Sequence, residues 1–410
     1  MTHFPYLKIQ KIAQLKHVTI PLPSSKSESN RALIINALAD NRGALSNLSE
    51  ARDTQTLQRL LLSDDKVLDV IDAGTTMRFL IAYLSVTNSV STLTGTERMC
   101  QRPVKILVDA LRELGADIHY QQQEGYPPVH IKGIEKQIQN NVSVRGDVSS
   151  QYISALLMIA PALPNGLHLK LIGKIGSRPY IEMTLALMEA FQVKANWHED
   201  TISVKPQKYQ PTKYTIESDW SGASYWYSMV ALAHDTSLEL LGLREDSLQG
   251  DIRIVDIMDQ LGVATQFTAE GVLLTKKEVD KSLEFDFSDC PDLAQTIAVV
   301  CAAKGLTCTM RGLESLRIKE TDRIAALQNE LAKIGASLLE QGDGWVVVPA
   351  NNTLWTQAPL EIKTYEDHRM AMAFAPLALF TELFIENPDV VKKSYPGFWK
   401  DLKLAGAEIV

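Results

Sequence analysis

The sequence predicts an α/β (α+β) protein of two similar domains, each holding three copies of one supersecondary unit. Three observations predict it. The chain has 410 residues, more than one hydrophobic core usually serves. A pattern of amphipathic helix, turn and two extended segments recurs along it. A further set of segments reads as helices that are apolar all round, which only burial accommodates.

The recurring pattern can be followed in order. Leu111-Arg112-Glu113-Leu114-Gly115-Ala116-Asp117-Ile118 closes one amphipathic helix and continues to Val129-His130-Ile131. Met188-Glu189-Ala190-Phe191-Gln192-Val193 leads to Thr201-Ile202-Ser203-Val204. Met258-Asp259-Gln260-Leu261-Gly262-Val263 leads through Glu270-Gly271 to Val272-Leu273-Leu274. Leu331-Ala332-Lys333-Ile334-Gly335-Ala336 leads through Gly342-Asp343-Gly344 to Trp345-Val346-Val347-Val348. The chain finishes on Leu404-Ala405-Gly406-Ala407-Glu408-Ile409, the opening of another copy. Equivalent positions 115, 192, 262, 335 and 406 lie 70 to 77 residues apart. Glycine after a helix, followed by alternating residues, is a helix stop plus a hairpin.

The apolar helices are expected at Ser27 to Ala39, Thr75 to Val86, Ser149 to Ala162, Ser221 to Ala233, Pro291 to Ala303 and His368 to Phe380. Each opens on small polar residues. Helix N-termini carry unsatisfied N–H groups and the positive end of the dipole, so convergence of these openings on one cleft would attract anions. The chain is expected to cross between domains near Leu22 and near Ser218-Asp219. One domain would then be discontinuous, residues 1–22 plus 219–410, and the other inserted, residues 23–218. The short piece Leu7-Lys8-Ile9-Gln10 would belong with the C-terminal half.

Composition narrows the function classes. The formal charge is −8, from 41 basic and 49 acidic residues, which argues against a nucleic-acid binder. No apolar run is long enough to span a bilayer. Met1-Thr2-His3-Phe4-Pro5 lacks the basic and apolar regions of a secretory signal, so a cytoplasmic protein is expected. Cys100, Cys290, Cys301 and Cys308 form no C-x-x-C pair and read as reduced thiols rather than a disulfide or zinc set.

Pro23-Ser24-Ser25-Lys26-Ser27-Glu28-Ser29-Asn30-Arg31 puts hydroxyls, an ammonium and a guanidinium at a helix opening, a cradle for phosphate or carboxylate. Lys26, Arg31, Arg78, Arg102, Arg178, Lys319, Arg323, Arg369 and Lys393 all sit near such openings. On a net-acidic chain that concentration suits a small polyanion better than a polymer. Asp289-Cys290-Pro291-Asp292 opens an apolar helix, where an acid usually caps the N-terminus. In Ile318-Lys319-Glu320-Thr321-Asp322-Arg323, helical spacing puts Lys319 and Arg323 on one face with Glu320 beside them. A carboxyl among cations is suited to proton transfer. Glu366-Asp367-His368-Arg369 has no H-E-x-x-H or G-x-S-x-G companion, so His368 reads as a helix-start residue. No Walker A motif or G-x-G-x-x-G supports nucleotide binding.

Taken together, these segments resemble the EPSP synthase (3-phosphoshikimate 1-carboxyvinyltransferase) family over essentially the whole chain. The carrying stretches are P-S-S-K-S-E-S-N-R-A-L at 23–33, D-A-G-T-T-M-R-F at 72–79 and Q-R-P-V-K-I-L-V-D-A-L at 101–111. They continue with G-D-V-S-S-Q-Y at 146–152, S-R-P-Y-I-E-M-T at 177–184 and D-C-P-D-L-A at 289–294. R-I-K-E-T-D-R at 317–323, Y-E-D-H-R-M-A-M at 365–372 and K-S-Y-P at 393–396 complete the set. The resemblance implies two domains of three βαβαββ repeats each, an inside-out α/β barrel arrangement, with the active site in the interdomain cleft. It implies transfer of the enolpyruvyl group of phosphoenolpyruvate to the 5-hydroxyl of shikimate 3-phosphate, with phosphate released, on the way to chorismate and the aromatic amino acids. It also implies no metal or cofactor, no nucleic-acid or membrane partner, and a monomer.

By the same resemblance, Lys26, Ser27, Arg31, Ser149, Ser150, Gln151, Ser177, Asp292 and Lys319 would hold shikimate 3-phosphate, with Tyr180 beside its ring. Lys26, Gly74, Arg102, Gln151, Arg323, Arg369 and Lys393 would hold phosphoenolpyruvate. Asp292 would be the base on the attacking hydroxyl and Glu320 the acid protonating the methylene, with Lys26 nearby. Four positions depart from the family pattern. Asp72 stands for a common Asn, Phe79 for a common Pro, Glu28 for a small or aliphatic residue, and Ser315 for a common Asn. They bear on affinity and inhibitor response rather than on the reaction. The sister family of UDP-N-acetylglucosamine enolpyruvyl transferases differs in having Lys-Asn where this chain has Lys26-Ser27. It also has a loop Cys several residues ahead of an Arg-Pro, whereas Cys100 lies only two before Arg102-Pro103. RNA 3′-phosphate cyclases share related architecture, but the acidic balance disfavours that reading. A non-catalytic phosphometabolite binder on the same scaffold is the alternative of a different class; binding without turnover would mark it.

Overall fold

The computed structural model describes residues 5–87, 89–279, 283–350 and 353–410. The chain divides into two compact units, an inserted one over Ser24–Ile216 and a flanking one made of Met1–Pro23 and Glu217–Val410.

The inserted unit contains the buried helices Lys26–Leu38, Gly74–Thr87 and Ser150–Ile159. In the flanking unit they are Trp220–Leu232, Ala294–Ala303 and His368–Phe374. Two end earlier than their apolar runs suggest. Pro161 and Pro376 each lack a backbone N–H and crowd the preceding turn, so the segments continue as the 3-10 turns Ala160–Ala162 and Ala375–Leu379.

The sheets repeat one topology: a parallel pair, then two antiparallel additions. In the inserted unit Val67–Asp69 runs parallel to Ser91–Thr94, which pairs antiparallel with Val129–Ile134, itself antiparallel to Ala116–Tyr120. Asn141–Arg145, Leu167–Ile172, Thr201–Val204 and Ala195–His198 repeat the order, and Ala44–Ser46 with Lys213–Thr215 forms a parallel pair alone. In the flanking unit the same order joins Val18–Pro21, Ser237–Leu241, Gly271–Lys276 and Val263–Phe267. It recurs in Glu284–Asp286, Cys308–Arg311, Gly344–Val348 and Ser337–Gln341. The last sheet pairs Leu360–Ile362 in parallel with Leu383–Glu386, which takes Tyr6–Ile9 antiparallel, and Ile9 bridges to Ile409. The two ends of the chain thus complete one sheet.

A parallel pair needs a long crossover, and the Gly74, Ser150, Ala294 and His368 helices lie within four of them. Because the helices pack under the sheets, both must be apolar on that side, which is why the helices show no polar stripe. The five turn positions that mark the repeat all take the left-handed conformation: Gly115, Gly262, Gly335 and Gly406 at φ 109°, 96°, 73° and 111°, and Gln192 at 63°. Four of the five are glycine because only glycine takes that conformation without cost.

Glu217 opens the second leg of the flanking unit. Its carboxylate is buried and accepts hydrogen bonds from Trp220 Nε1, the Arg244 backbone N–H, Ser247 Oγ and Gln249 Nε2 at 2.6–3.0 Å. That set ties the start of the Trp220 helix to the 244–249 loop, and the loop leads directly into the candidate site.

Candidate functional site

In the inserted unit the sequence-predicted residues gather at the openings of the buried helices. Ser25 caps the first, its hydroxyl accepting from the Glu28 N–H at 3.4 Å. Lys26 follows, with Nζ 3.1 Å from Asp53 Oδ2. Arg31, one turn on, is 2 % exposed and held by neutral oxygens: Nε donates to Thr184 Oγ1 at 2.8 Å, Nη1 to the Ser27 carbonyl at 2.9 Å and Nη2 to Ser154 Oγ at 3.0 Å. Its guanidinium lies against the rings of Phe79 and Tyr180, 5.5 and 5.8 Å from their centroids. Burial lowers the Arg31 pKa to about 10, with Tyr180 acting in the opposite direction. The ring at position 79 therefore has a physical role here: it covers a buried cation.

The Gly74 opening depends on its missing side chain. A Cβ there would meet the Arg102 guanidinium at 2.6–2.8 Å. Arg102 itself is placed by its neighbour, since the Pro103 carbonyl accepts from Arg78 Nη2 at 3.2 Å and from the Tyr152 hydroxyl at 2.6 Å. Gln151 Nε2 donates to Thr75 Oγ1 at 3.0 Å and so links this opening to that of the Ser150 helix, where Ser149 is the N-cap and Ser150 is buried. Ser177 stands at the N-cap position of the Arg178–Ala190 helix in the left-handed conformation, φ 53°. Ile71, at φ 60°, precedes Asp72, and Tyr365 and Glu366, at φ 53° and 57°, precede Asp367. Such conformations cost energy for residues with a side chain and concentrate where a chain must present a group at a set place.

Two of the departures have partners. Asp72 is ion-paired with Arg52 at 2.7 Å, so its extra charge is matched locally. Glu28 is buried and accepts from the Tyr214 hydroxyl at 2.6 Å, on a contact 186 residues away in sequence. Cys100 Sγ lies 3.6 Å from the Gly95 carbonyl at the end of the Glu97–Cys100 turn.

The flanking unit carries a denser constellation. Arg323, 2 % exposed, is held by three carboxylates: Nε donates to Asp367 Oδ2 at 2.7 Å, Nη1 to Asp292 Oδ1 at 3.0 Å and Nη2 to Glu320 Oε2 at 2.9 Å. Arg369 Nη2 donates to Asp292 Oδ2 at 2.7 Å, and its Nη1 lies 3.3 Å from the Tyr225 hydroxyl. Lys393, also 2 % exposed, places Nζ 3.8 Å from Glu320 Oε1. Asp292 thus bridges two guanidinium groups and Glu320 joins a third cation. Burial raises the Asp292 pKa most, but Arg369, Lys319 and Arg323 together hold it well below the usual carboxylate range, with Glu320 opposing them. Burial alone would lower the Arg323 pKa, but Asp367, Glu320 and Asp292 push it above its ordinary value.

One expectation is corrected. Lys319 and Arg323 do not share a helical face: the helix is Arg323–Ala332, Asp322 is its N-cap, and Lys319 and Glu320 lie in the turn after Glu314–Ile318. The Asp322 side chain accepts from the Ile324 and Ala325 N–H groups at 3.1 Å, which starts the helix there rather than at Lys319. The turn is what lets Glu320 fold back onto Arg323. Asp292 lies in the 3-10 turn Pro291–Leu293, and His368 is the first residue of its helix behind the Asp367 cap. Sequence reasoning missed Asp367, Tyr225, Ser221 and Asp251. Ser221, Tyr225 and Asp367 sit at or just inside helix openings, where the apolar run hides them. Gln249-Gly250-Asp251 reads as plain loop.

Among the described residues no helix is long and apolar enough to cross a membrane. A profile of the EPSP synthase (3-phosphoshikimate 1-carboxyvinyltransferase) family matches residues 56–402. A 3-phosphoshikimate 1-carboxyvinyltransferase of Bacteroides fragilis strain YCH46 is 51% identical over 397 residues, 96% of each chain. One of Cronobacter sakazakii is 38% identical over an alignment that covers 97% of each chain. A solved structure of EPSP synthase from Acinetobacter baumannii superposes with a TM-score of 0.77 over 99% of this chain and 100% of that one, at 20% identity, so the fold persists where the sequence has diverged. With the family profile matching most of its length and relatives aligned nearly end to end, this chain belongs to the EPSP synthase (3-phosphoshikimate 1-carboxyvinyltransferase) family.

Proposed function

We propose that this chain transfers the enolpyruvyl group of phosphoenolpyruvate to the 5-hydroxyl of shikimate 3-phosphate, giving 5-enolpyruvylshikimate 3-phosphate and phosphate by addition and elimination. The observation that carries the reading is the pairing of Asp292 and Glu320 with Arg323, Arg369 and Lys393. It places two carboxyl groups among buried cations, as a reaction needs when two anions must meet and two protons must move.

In the addition, the 5-oxygen bonds to C2 of phosphoenolpyruvate while its proton leaves, and a proton adds to C3. The elimination removes a proton from the new methyl group and expels phosphate, restoring the double bond. Asp292 takes the hydroxyl proton and Glu320 handles the proton at C3, and Lys26 is the third residue assigned to the proton steps. Arg31, Ser27, Ser149, Ser150, Gln151, Ser177, Tyr180 and Lys319 serve shikimate 3-phosphate. Gly74, Arg102, Arg323, Arg369 and Lys393 serve phosphoenolpyruvate, with Lys26 and Gln151 shared. Developing charge on the oxygens is met by groups already in place, which lowers the barrier without reorganisation. The family resemblance implies a monomer, and the small charged metabolites the chain would act on fit work in the cytoplasm.

The test is phosphate release with both substrates and with each omitted in turn. Release that needs both, without added metal or nucleotide, is expected; binding of both without release would instead make the chain a phosphometabolite binder. Gly74→Ala gives a second check. The added methyl displaces the Arg102 guanidinium, so the KM for phosphoenolpyruvate should rise about tenfold, the worth of a charge-assisted contact. An unchanged KM would remove Arg102 from that site.

A further inference from the structure

Asp251 lies in the 3-10 turn Gly250–Arg253 and is 2 % exposed. The Ser221 hydroxyl, in the first turn of the Trp220 helix, donates to Asp251 Oδ2. The same Ser221 oxygen lies 3.5 Å from Arg369 Nη2, the nitrogen that also donates to Asp292 at 2.7 Å. A hydroxyl that spends its proton on Asp251 turns its lone pairs toward Arg369. Asp251 therefore decides which way Ser221 points, and Ser221 helps decide where the guanidinium rests.

We propose that Asp251 is a positioning residue for Arg369, acting through the Ser221 hydroxyl, and that it takes up a proton when an anionic substrate settles on that arginine. The inference rests on the reading of Arg369 as a phosphoenolpyruvate contact. Around Asp251 stand Asp292 on the Pro291–Leu293 turn, Arg369 on the His368 helix, Asp219 at the cap of the Trp220 helix, and Cys290. Arg253 on its own turn is paired with Asp256 at 2.5 Å. Two carboxyls, the buried Asp251 and the partly exposed Asp292, thus depend on one guanidinium. Burial first, then the Asp292 charge, raises the Asp251 pKa to about 7, while Arg369 and the Ser221 hydrogen bond restrain it. An arriving anion adds negative charge and draws on Arg369, which moves Asp251 further toward its protonated form.

The sign follows. Binding that takes up a proton weakens once the free protein has lost that proton, so the KM for phosphoenolpyruvate should climb as pH rises above about 7. The experiment is a KM and kcat profile from pH 5.5 to 8.5, about the range in which the group titrates, for the wild type, Asp251→Asn and Asp251→Ala. Substrate titration is common to all three and cancels in their ratios. Asp251→Asn keeps an acceptor for Ser221 but cannot titrate. It should hold KM near the low-pH wild-type value and lose the excess rise. Asp251→Ala removes the acceptor and should raise KM about tenfold at every pH with a smaller change in kcat. Should Asp251→Ala fold poorly, the Asn profile alone decides. Variants with the wild-type pH profile and KM, beside a wild type that turns over, overturn this inference and leave the proposed function standing. A wild type that neither binds nor consumes phosphoenolpyruvate overturns both.

Discussion

Asp292→Asn is expected to lower turnover by a factor of about 10² to 10⁴, the usual worth of a positioned proton acceptor. In the structure Asp292 is not yet a good base. Its carboxylate bridges Arg323 and Arg369 at 3.0 and 2.7 Å, and burial, which alone would make it more basic, is outweighed by Arg369, Lys319 and Arg323. Those three are also the residues assigned to the two substrates. Once phosphoenolpyruvate occupies the arginines and shikimate 3-phosphate occupies Lys319, the cations are shared with new negative charge and the carboxylate becomes more basic. The base would then be switched on by its own substrates and idle without them. Asn keeps the shape and one acceptor oxygen but removes both the charge and the basicity. Turnover measured against pH separates the effects: the wild type should lose activity on the acid side as Asp292 protonates, and the Asn variant should show a low rate without that limb. A variant within threefold of wild type would take Asp292 out of the proton path.

The fold was largely readable in the sequence because its signals are local. The glycines at 115, 262, 335 and 406 mark turns whose φ values only glycine takes freely, and the apolar helices show their burial in composition. Where reading went astray, one side chain decided. Asp322 caps its helix and thereby excludes Lys319 and Glu320 from it, and Pro161 and Pro376 convert helix ends to 3-10 turns. The charged residues near helix openings were visible as types, but not their partners. Glu28 finds Tyr214, Arg31 finds Thr184 and Phe79, and Arg323 finds Asp367 across distances in sequence that no periodicity encodes. Asp72 likewise pairs with Arg52, a partner that no motif marks. Asp251 was silent for a further reason: its significance lies in burial beside Asp292, and burial of a loop acid leaves no trace in the pattern of its neighbours.

Glu320→Gln should lower turnover about a hundredfold, a larger effect than on either KM, because it removes a proton carrier while keeping the contact to Arg323. Glu320 accepts from Arg323 Nη2 at 2.9 Å and lies 3.8 Å from Lys393 Nζ. A glutamine oxygen can occupy the same place, so Arg323 keeps an acceptor, the turn after Glu314–Ile318 keeps its fold, and thermal unfolding should be unchanged. What glutamine cannot do is give a proton to C3 and take one back. Deuterium makes that step visible. In heavy water the wild type should place deuterium at the C3 methylene, since addition delivers a solvent-derived proton and elimination removes any of three. The Gln variant should slow this incorporation in step with turnover. Incorporation at the wild-type rate, with turnover reduced, would mean that another group delivers the proton, and Lys26, the cation paired with Asp53 at 3.1 Å, is the one the assignment would pass to. Lys26→Met, which keeps an unbranched side chain without the charge, would then abolish incorporation where Glu320→Gln had not.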